Sequence, residues 1–285
     1  MASSRHLRCL IFALLLLGLH AHAIEVRQVL WGFDGRVVPN RFNPVSVLIA
    51  NPDGKPFDDA LSLTETRGLN ISDAEIVQAI YLAPQSQRWV QFHVFVRASS
   101  EFRLRWPRGG NDLPNPATSG PARVILTDPA NPFVAPGSLK TFPDDLFPTS
   151  LAATDGLDAV VLDYAPRWDA ARRDAFLDWL RRGGTVLVIH GAGGAYPQFS
   201  ETLALLNIAG ESARVGAGHV LRQPVTRREV KDELLTTRGF AAPELKTSKQ
   251  PLIQDFEHTL LDRLASLTRP QISWWLVNLL TLLYK

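Results

Sequence analysis

Residues 158–194 contain a short apolar run, an amphipathic segment and a second apolar run, in that order. The two runs are Ala159–Leu162 and Thr185–Ile189. Short apolar runs on either side of an amphipathic helix are typical of a parallel β-α-β unit whose strands are buried on both faces. Because ligands of open parallel sheets bind at the carboxyl ends of the strands, this stretch also predicts where a site would lie.

The segment between the two runs carries several signals of a helix. Asp169 near its start and Arg181 and Arg182 near its end match the helix dipole. Gly183 stands where a left-handed cap is expected. The apolar residues recur at spacings of three and four, which predicts one buried stripe: Trp168, Ala171, Ala175, Phe176, Trp179 and Leu180.

The pattern changes along the chain and predicts two domains. Residues 24–107 alternate between apolar and polar, most clearly in Arg88–Arg97, and residues 108–121 are a linker rich in Pro, Gly, Asn and Ser. Between residues 122 and 240, strand-like and helix-like segments alternate. The predicted fold class is therefore multidomain: an N-terminal antiparallel β-sandwich of immunoglobulin-like architecture, an α/β three-layer domain with a mostly parallel sheet, and a C-terminal apolar helix.

Residues 1–23 have the three parts of a secretory signal peptide. Arg5 and Arg8 precede the apolar run Cys9–Leu19, and small residues precede Ile24. We expect cleavage before Ile24 and an exported protein. The mature chain then has no cysteine, and the loss of Arg5 and Arg8 reduces the 30 Lys and Arg to 28, equal to the 28 Asp and Glu. This balance gives no reason to expect nucleic acid as a partner.

Residues 241–271 are interpreted as a juxtamembrane segment and residues 272–285 as the start of a transmembrane helix. The second segment is apolar, with Trp274 and Trp275 at its beginning and Lys285 at its end. Its fourteen residues are fewer than the roughly 20 that a span requires, so a surface-lying segment and a helix packed on the protein stay open as alternatives. This interpretation predicts that the protein is anchored to the cytoplasmic membrane.

The candidate site consists of residues that follow the predicted parallel strands. Asp128, Asp163 and His190 each come directly after an apolar run, and Tyr164 and Gly191 are next to them. These side chains would share one edge of the sheet, where they bind a ligand, act as acid and base, or cap neighbouring loops. We expect no catalytic residue, no metal and no cofactor, because the sequence has no nucleophile elbow, no phosphate-binding loop and no zinc-ligand spacing.

Residues 122–225 resemble the class I glutamine-amidotransferase-like fold, which is flavodoxin-like and includes the ThuA-like proteins. The resemblance is carried by Leu157–Asp163, by the helix ending Trp179–Gly184, and by Thr185–Gly191. It also extends to bacterial envelope proteins with a signal, a β-sandwich, such a domain and membrane helices. The family uses a cysteine nucleophile with a His and a Glu, so the resemblance implies a fold and an inactive crevice here.

Two functions compete on this basis. The first is a non-catalytic, membrane-tethered extracytoplasmic binding or scaffold protein of the bacterial envelope, in the periplasm or its equivalent, with another envelope protein as its partner. The second is a hydrolase or carbohydrate-modifying enzyme that uses Asp128, Asp163 and His190 around a bound metal or water. A purely structural module without a ligand is the third interpretation.

Overall fold

The computed structural model describes residues 24–67, 70–97, 100–107, 109–130, 139–231 and 233–236. The predicted signal peptide (residues 1–23) and the segments 241–271 and 272–285 lie outside these residues. The first half of the described chain consists of strands, which are β1 (Glu25–Trp31), β2 (Arg36–Val37), β3 (Arg41–Asn51), β4 (Phe57–Arg67), β5 (Asn70–Leu82), β6 (Ser86–Val96), β7 (Glu101–Trp106), β8 (Gly109–Asp112) and β9 (Ala117–Thr118).

Two antiparallel sheets of this half enclose one apolar core. The first has the order β1-β3-β6 and the second β5-β4-β7-β8. Period-two alternation places every second side chain between the sheets; on β6 these are Val90, Phe92, Val94 and Val96, all buried. Part of the segment predicted as a linker forms β8 and β9, and β9 pairs in parallel with β2.

The second half is built around a six-stranded sheet. Its strands are β10 (Ala122–Thr127), β11 (Lys140–Pro143), β12 (Leu157–Leu162), β13 (Thr185–Val188), β14 (Ser212–Val215) and β15 (Gly218–Arg222). The order is β11-β10-β12-β13-β15-β14, and only β14 runs antiparallel to its neighbour. The α-helices are α1 (Ala170–Arg181) and α2 (Glu233–Thr236), and 3-10 helices cover Asp144–Leu146, Leu151–Thr154 and Glu201–Leu206.

Helix α1 begins at a side-chain cap and packs on the sheet. The Asp169 side chain accepts a hydrogen bond from the Arg172 backbone N–H, which satisfies one of the free amides of the first turn. Phe176, Trp179 and Leu180 are buried. The Trp179 Nε1 donates to the Leu157 carbonyl at 3.0 Å, which fixes the helix against the start of β12.

The predicted fold class is wrong. The described residues are dominated by strands, with two α-helices of which one is a single turn, so they do not form a three-layer α/β domain. The connections between the strands contain residues that are unfavourable in helices. Pro148 lies between β11 and β12, and four glycines and Pro197 lie between His190 and Glu211. Glycine and proline both disfavour helix interiors, so 3-10 turns and loops replace the expected helices. The predicted C-terminal helix lies outside the described residues.

The prediction of a membrane partner is corrected as well. Among the residues that the structure describes, no helix is long and apolar enough to cross a bilayer. This finding gives no support to the predicted anchor, whose residues 272–285 lie outside the described part of the chain.

The two halves share an apolar junction at the end of β1. Trp31 is buried in the core between the antiparallel sheets, whereas Phe33 is buried in the core of the second half. The Phe33 ring centroid lies 5.0 Å from that of Phe142 and 6.1 Å from that of Phe147. Gly32, between the two aromatics, has a φ of +57°, and a Cβ there would lie 1.9 Å from the Arg36 carbonyl oxygen. Only glycine fits this turn.

We expect Phe33→Ala to lower the free energy of unfolding by about 3–5 kcal/mol, because truncating a buried phenylalanine leaves a cavity. Phe42→Ala is the matched control, since the Phe42 side chain is 40% exposed and its loss should cost less than about 1 kcal/mol. Urea denaturation measures both. Equal effects of the two substitutions would contradict an anchoring role for Phe33.

Candidate functional site

The parallel sheet places a crevice at the carboxyl ends of β10 and β12. Strand β10 lies between β11 and β12 in the sheet. The connection from β10 to β11 therefore runs towards one side of β10, and the connection from β11 to β12 runs back to the other side. Such a change of direction leaves a gap between neighbouring loops, and ligands of open parallel sheets bind there. The residues that follow these two strands are Asp128 and Asp163.

All five predicted site residues line one cavity of about 860 Å³ at this position. This volume is within the range of ligand pockets, roughly 300–1,000 Å³. Sequence reasoning missed the residues contributed by the segment after β15. The complete lining is Asp128, Asp163, Tyr164, His190, Gly191, Ala192, Gly194, Thr226, Arg227 and Arg228.

The Asp163 carboxylate forms a two-pronged ion pair with Arg227. The Arg227 Nε lies 2.5 Å from Asp163 Oδ2, and Nη2 lies 2.6 Å from Oδ1. The two side chains are only 11% and 18% exposed. The planar guanidinium matches both carboxylate oxygens at once, so the pair joins the end of β12 to a segment 64 residues further along the chain.

Tyr164 is held by a second buried acid. Its hydroxyl donates to Asp144 Oδ2 at 2.8 Å, and the Trp168 Nε1 donates to the Asp144 carbonyl oxygen at 2.8 Å. Burial raises the pKa of Asp144, and the Tyr164 hydrogen bond partly opposes this. Burial, together with the hydrogen bond to Asp144, raises the pKa of Tyr164 above its usual range. Tyr164 is therefore a neutral phenol, and its hydroxyl hydrogen is engaged in the hydrogen bond to Asp144.

The loop after β13 approaches β12 closely. A Cβ at Gly191 would lie 2.7 Å from the Asp163 carbonyl oxygen, so a larger residue would push the loop away. The His190 backbone N–H donates to the Val225 carbonyl at 3.0 Å. The His190 ring packs edge-on against Tyr196, with 4.5 Å between ring centroids.

A tight turn presents the two arginines of the crevice. The backbone N–H and the hydroxyl of Thr226 both donate to Glu229 Oε2 at 2.8 Å, and these hydrogen bonds lower the pKa of Glu229. The pattern Thr-x-x-Glu is a known capping signal. Its position after β15 is the sequence feature that would have located Arg227 and Arg228.

Asp128 stabilises its own loop. Its Oδ1 accepts a hydrogen bond from the Ala130 backbone N–H at 2.8 Å, as in the Asx turns that follow many strands. Its second carboxylate oxygen accepts no hydrogen bond within the described part of the chain. No group of three or more His, Cys, Asp or Glu side chains capable of holding a metal ion occurs among the described residues. The arrangement offers one acceptor at Asp128 and donors at His190 and Arg228.

Replacing Arg227 tests the energetic role of the ion pair. We expect Arg227→Met to lower the free energy of unfolding by about 3 kcal/mol, because it leaves the Asp163 carboxylate with little solvent and no cation. Arg181→Met is the control, since its pair with Asp178 is about half exposed and contributes at most about 0.5 kcal/mol. The double variant Asp163→Leu/Arg227→Met should be more stable than Arg227→Met alone in urea denaturation. A double variant less stable than Arg227→Met would contradict this account.

The raised pKa of Asp144 predicts a pH-dependent difference between the protein and Asp144→Asn. As pH rises from 3.8, Asp144 ionises first in the unfolded chain, which lowers the stability of the folded protein relative to the variant. The stability of Asp144→Asn relative to the unsubstituted protein should therefore increase between pH 3 and pH 7, as measured by urea denaturation. A difference that does not change with pH would show that burial does not penalise this carboxylate.

Comparisons with known proteins give no family. No protein-family model matches the sequence, and no curated protein is similar to it.

Similar solved structures cover parts of much longer chains. One is a cycloisomaltooligosaccharide glucanotransferase of Paenibacillus sp. complexed with cycloisomaltoheptaose, with 12% identity over 58% of this chain and 27% of that one and a TM-score of 0.28. A β-glucuronidase from glycoside hydrolase family 2 has 9% identity over 61% and 20%, with a TM-score of 0.23. Bacteroides uniformis β-glucuronidase 2, covalently bound to cyclophellitol-6-carboxylate aziridine, has 11% identity over 59% and 22%, with a TM-score of 0.20. The chain thus spans about a quarter of their length, and likenesses at these TM-scores support no conclusion about fold or activity.

Proposed function

We propose that this chain is an exported, non-catalytic binding protein whose crevice holds a small ligand with hydroxyl groups and one anionic group. The observation that carries the proposal is a cavity of about 860 Å³ in which the side chains of Asp163, Tyr164 and Thr226 already have partners. Export is supported by the pattern of residues 1–23, which lie outside the described residues.

Several polar side chains of the crevice already form hydrogen bonds or ion pairs, which supports binding over catalysis. A general base needs a lone pair within hydrogen-bond reach of the substrate, and both carboxylate oxygens of Asp163 are paired with Arg227. The Tyr164 hydroxyl donates a hydrogen bond to Asp144, and the Thr226 hydroxyl donates one to Glu229. The single cysteine of the chain is Cys9, in the predicted signal peptide. The crevice therefore offers binding groups and no activated nucleophile.

The resemblance to the amidotransferase-like family stays part of this proposal. We propose that the crevice corresponds to the active-site position of that family after loss of its cysteine. The parallel pairing of β10, β12 and β13 supports a common arrangement of strand ends.

The side chains without partners define the ligand. Arg228 is exposed and has no hydrogen-bond or ion-pair partner among the described residues, so it is free to bind a carboxylate or phosphate. Asp128 retains one oxygen for a ligand hydroxyl, and the His190 ring supplies a further polar contact at the edge of the cavity. A sugar acid or sugar phosphate combines these features.

Calorimetric titration of the purified protein with gluconate, glucose 6-phosphate and glucose tests the proposal. We expect saturable binding of at least one anionic compound and at least tenfold weaker binding of neutral glucose. Arg228→Ala should weaken anion binding about tenfold, since a hydrogen bond to a charged group contributes about 1.5–3 kcal/mol. Arg182→Ala, at an exposed arginine after α1, should leave the affinity unchanged.

Two results would refute the proposed function. The first is the absence of saturable binding for both anionic compounds, or equal binding of all three. The second is turnover of chromogenic amide, ester or glycoside substrates that is lost in Asp128→Asn, which keeps the side-chain oxygen needed for the Ala130 turn.

A further inference from the structure

The outer edge of β6 is a second open feature, distinct from the crevice. β6 is the last strand of its sheet, and no described strand pairs with its second edge. A cavity of about 500 Å³ lies along Arg88–Gln91 of this edge. We call it the edge channel. Residues 78–80 of β5 form one wall, and Asp145, Leu146, Thr149 and Arg172 of the second half form the other.

The side chains of β6 alternate between the two sides of the edge channel. Val90 points into the core between the antiparallel sheets and is buried, so Arg88 lies on that side by the strand period. Trp89 and Gln91 lie on the opposite side, where the Gln91 Nε2 donates to the Leu146 carbonyl at 2.7 Å. An extended peptide along this edge would place successive side chains into the same two spaces.

The edge channel contains the charged residues Arg88, Asp145 and Arg172, and the Asp145 carboxylate lies within electrostatic reach of Arg172. Arg172 is paired with Asp169 and also donates to the Phe147 carbonyl. Burial lowers the pKa of His93, which keeps its ring neutral. Arg88 has no hydrogen-bond or ion-pair partner among the described residues. The edge channel therefore complements a carboxylate placed near Arg88.

The neighbouring strand adds an apolar contact surface. Val77 is 60% exposed, Tyr81 55% and Ile76 39%, all on β5. Open strand edges are usually protected by proline, lysine or other charged residues, or by a bulge; β6 contains no proline or lysine and pairs with β3 without a register shift. An edge strand whose only permanently charged residue is Arg88, beside exposed apolar side chains, is a surface that strand addition can use.

We propose that the edge channel binds an extended segment of a partner protein, which pairs with β6 as an added strand and places an acidic side chain against Arg88. Backbone hydrogen bonds to Arg88–Gln91 supply affinity, and alternate side chains supply specificity. The inference does not depend on the crevice ligand.

Fluorescence polarisation with the full chain tests this inference. The probe is a labelled seven-residue peptide, Thr-Val-Glu-Val-Glu-Val-Thr, compared with a version carrying Lys for Glu and a version with N-methyl groups on alternate amides. We expect saturable binding of the acidic peptide, at least tenfold weaker binding of the lysine version, and no binding of the N-methylated one. Arg88→Glu should weaken binding at least tenfold, whereas Arg182→Glu should not change it. Hydrogen exchange should slow at Arg88–Gln91 in the complex.

Several results would overturn the inference. Equal binding of the N-methylated peptide would exclude strand pairing, and an unchanged affinity of Arg88→Glu would exclude the acidic contact. If no peptide binds and Arg88→Leu self-associates, Arg88 is a guard against edge-to-edge association and the inference fails. Titration of Arg88→Glu with gluconate separates this result from the proposed function, since the crevice should be unaffected.

Discussion

The insertion of Phe33 into the second apolar core joins the two halves of the described chain. The two aromatic residues that flank Gly32 are buried in different cores. Trp31 packs between the antiparallel sheets, and Phe33 packs against Phe142 and Phe147. A polar contact also joins the two halves, since the Arg41 side chain donates a hydrogen bond to the Asp155 carbonyl. The second wall of the edge channel comes from the second half, so its shape depends on the same anchor.

A connected set of polar contacts organises the crevice. Asp144 holds Tyr164 and Trp168, the Tyr164 ring lies 5.8 Å from the Arg227 guanidinium, and Arg227 is paired with Asp163. Mutual hydrogen bonds and the ion pair within this set restrict the positions of its side chains. A rigid cavity lowers the entropy lost on ligand binding. Because these side chains already form hydrogen bonds or an ion pair with one another, few of them can exchange a proton with a ligand. For this reason we favour binding over catalysis.

Local sequence patterns predicted some elements well because both strand faces are buried. The apolar runs before Asp128 and Asp163 form β10 and β12. The predicted helix stripe is buried except at Ala171, although Trp168, its first member, precedes α1. The fold class was wrong, because glycine and proline in the connections give 3-10 turns, which apolar spacing does not reveal. Arg227 was not assigned to the site, since its partner is 64 residues away. The edge channel exists because one edge of β6 has no neighbouring strand, and the apolar period of the sequence does not predict which strands lie at the edge of a sheet.

The contact between Asp163 and Arg227 has a consequence for how the protein matures. The two partners are 64 residues apart in the chain, so Asp163 has its cation only when the sheet between them has formed. The crevice is completed only when the strand β15 is in place and its following turn closes over the edge. Two of the arginines that line the crevice, Arg227 and Arg228, are therefore brought to the strand ends by tertiary structure rather than by the strands themselves.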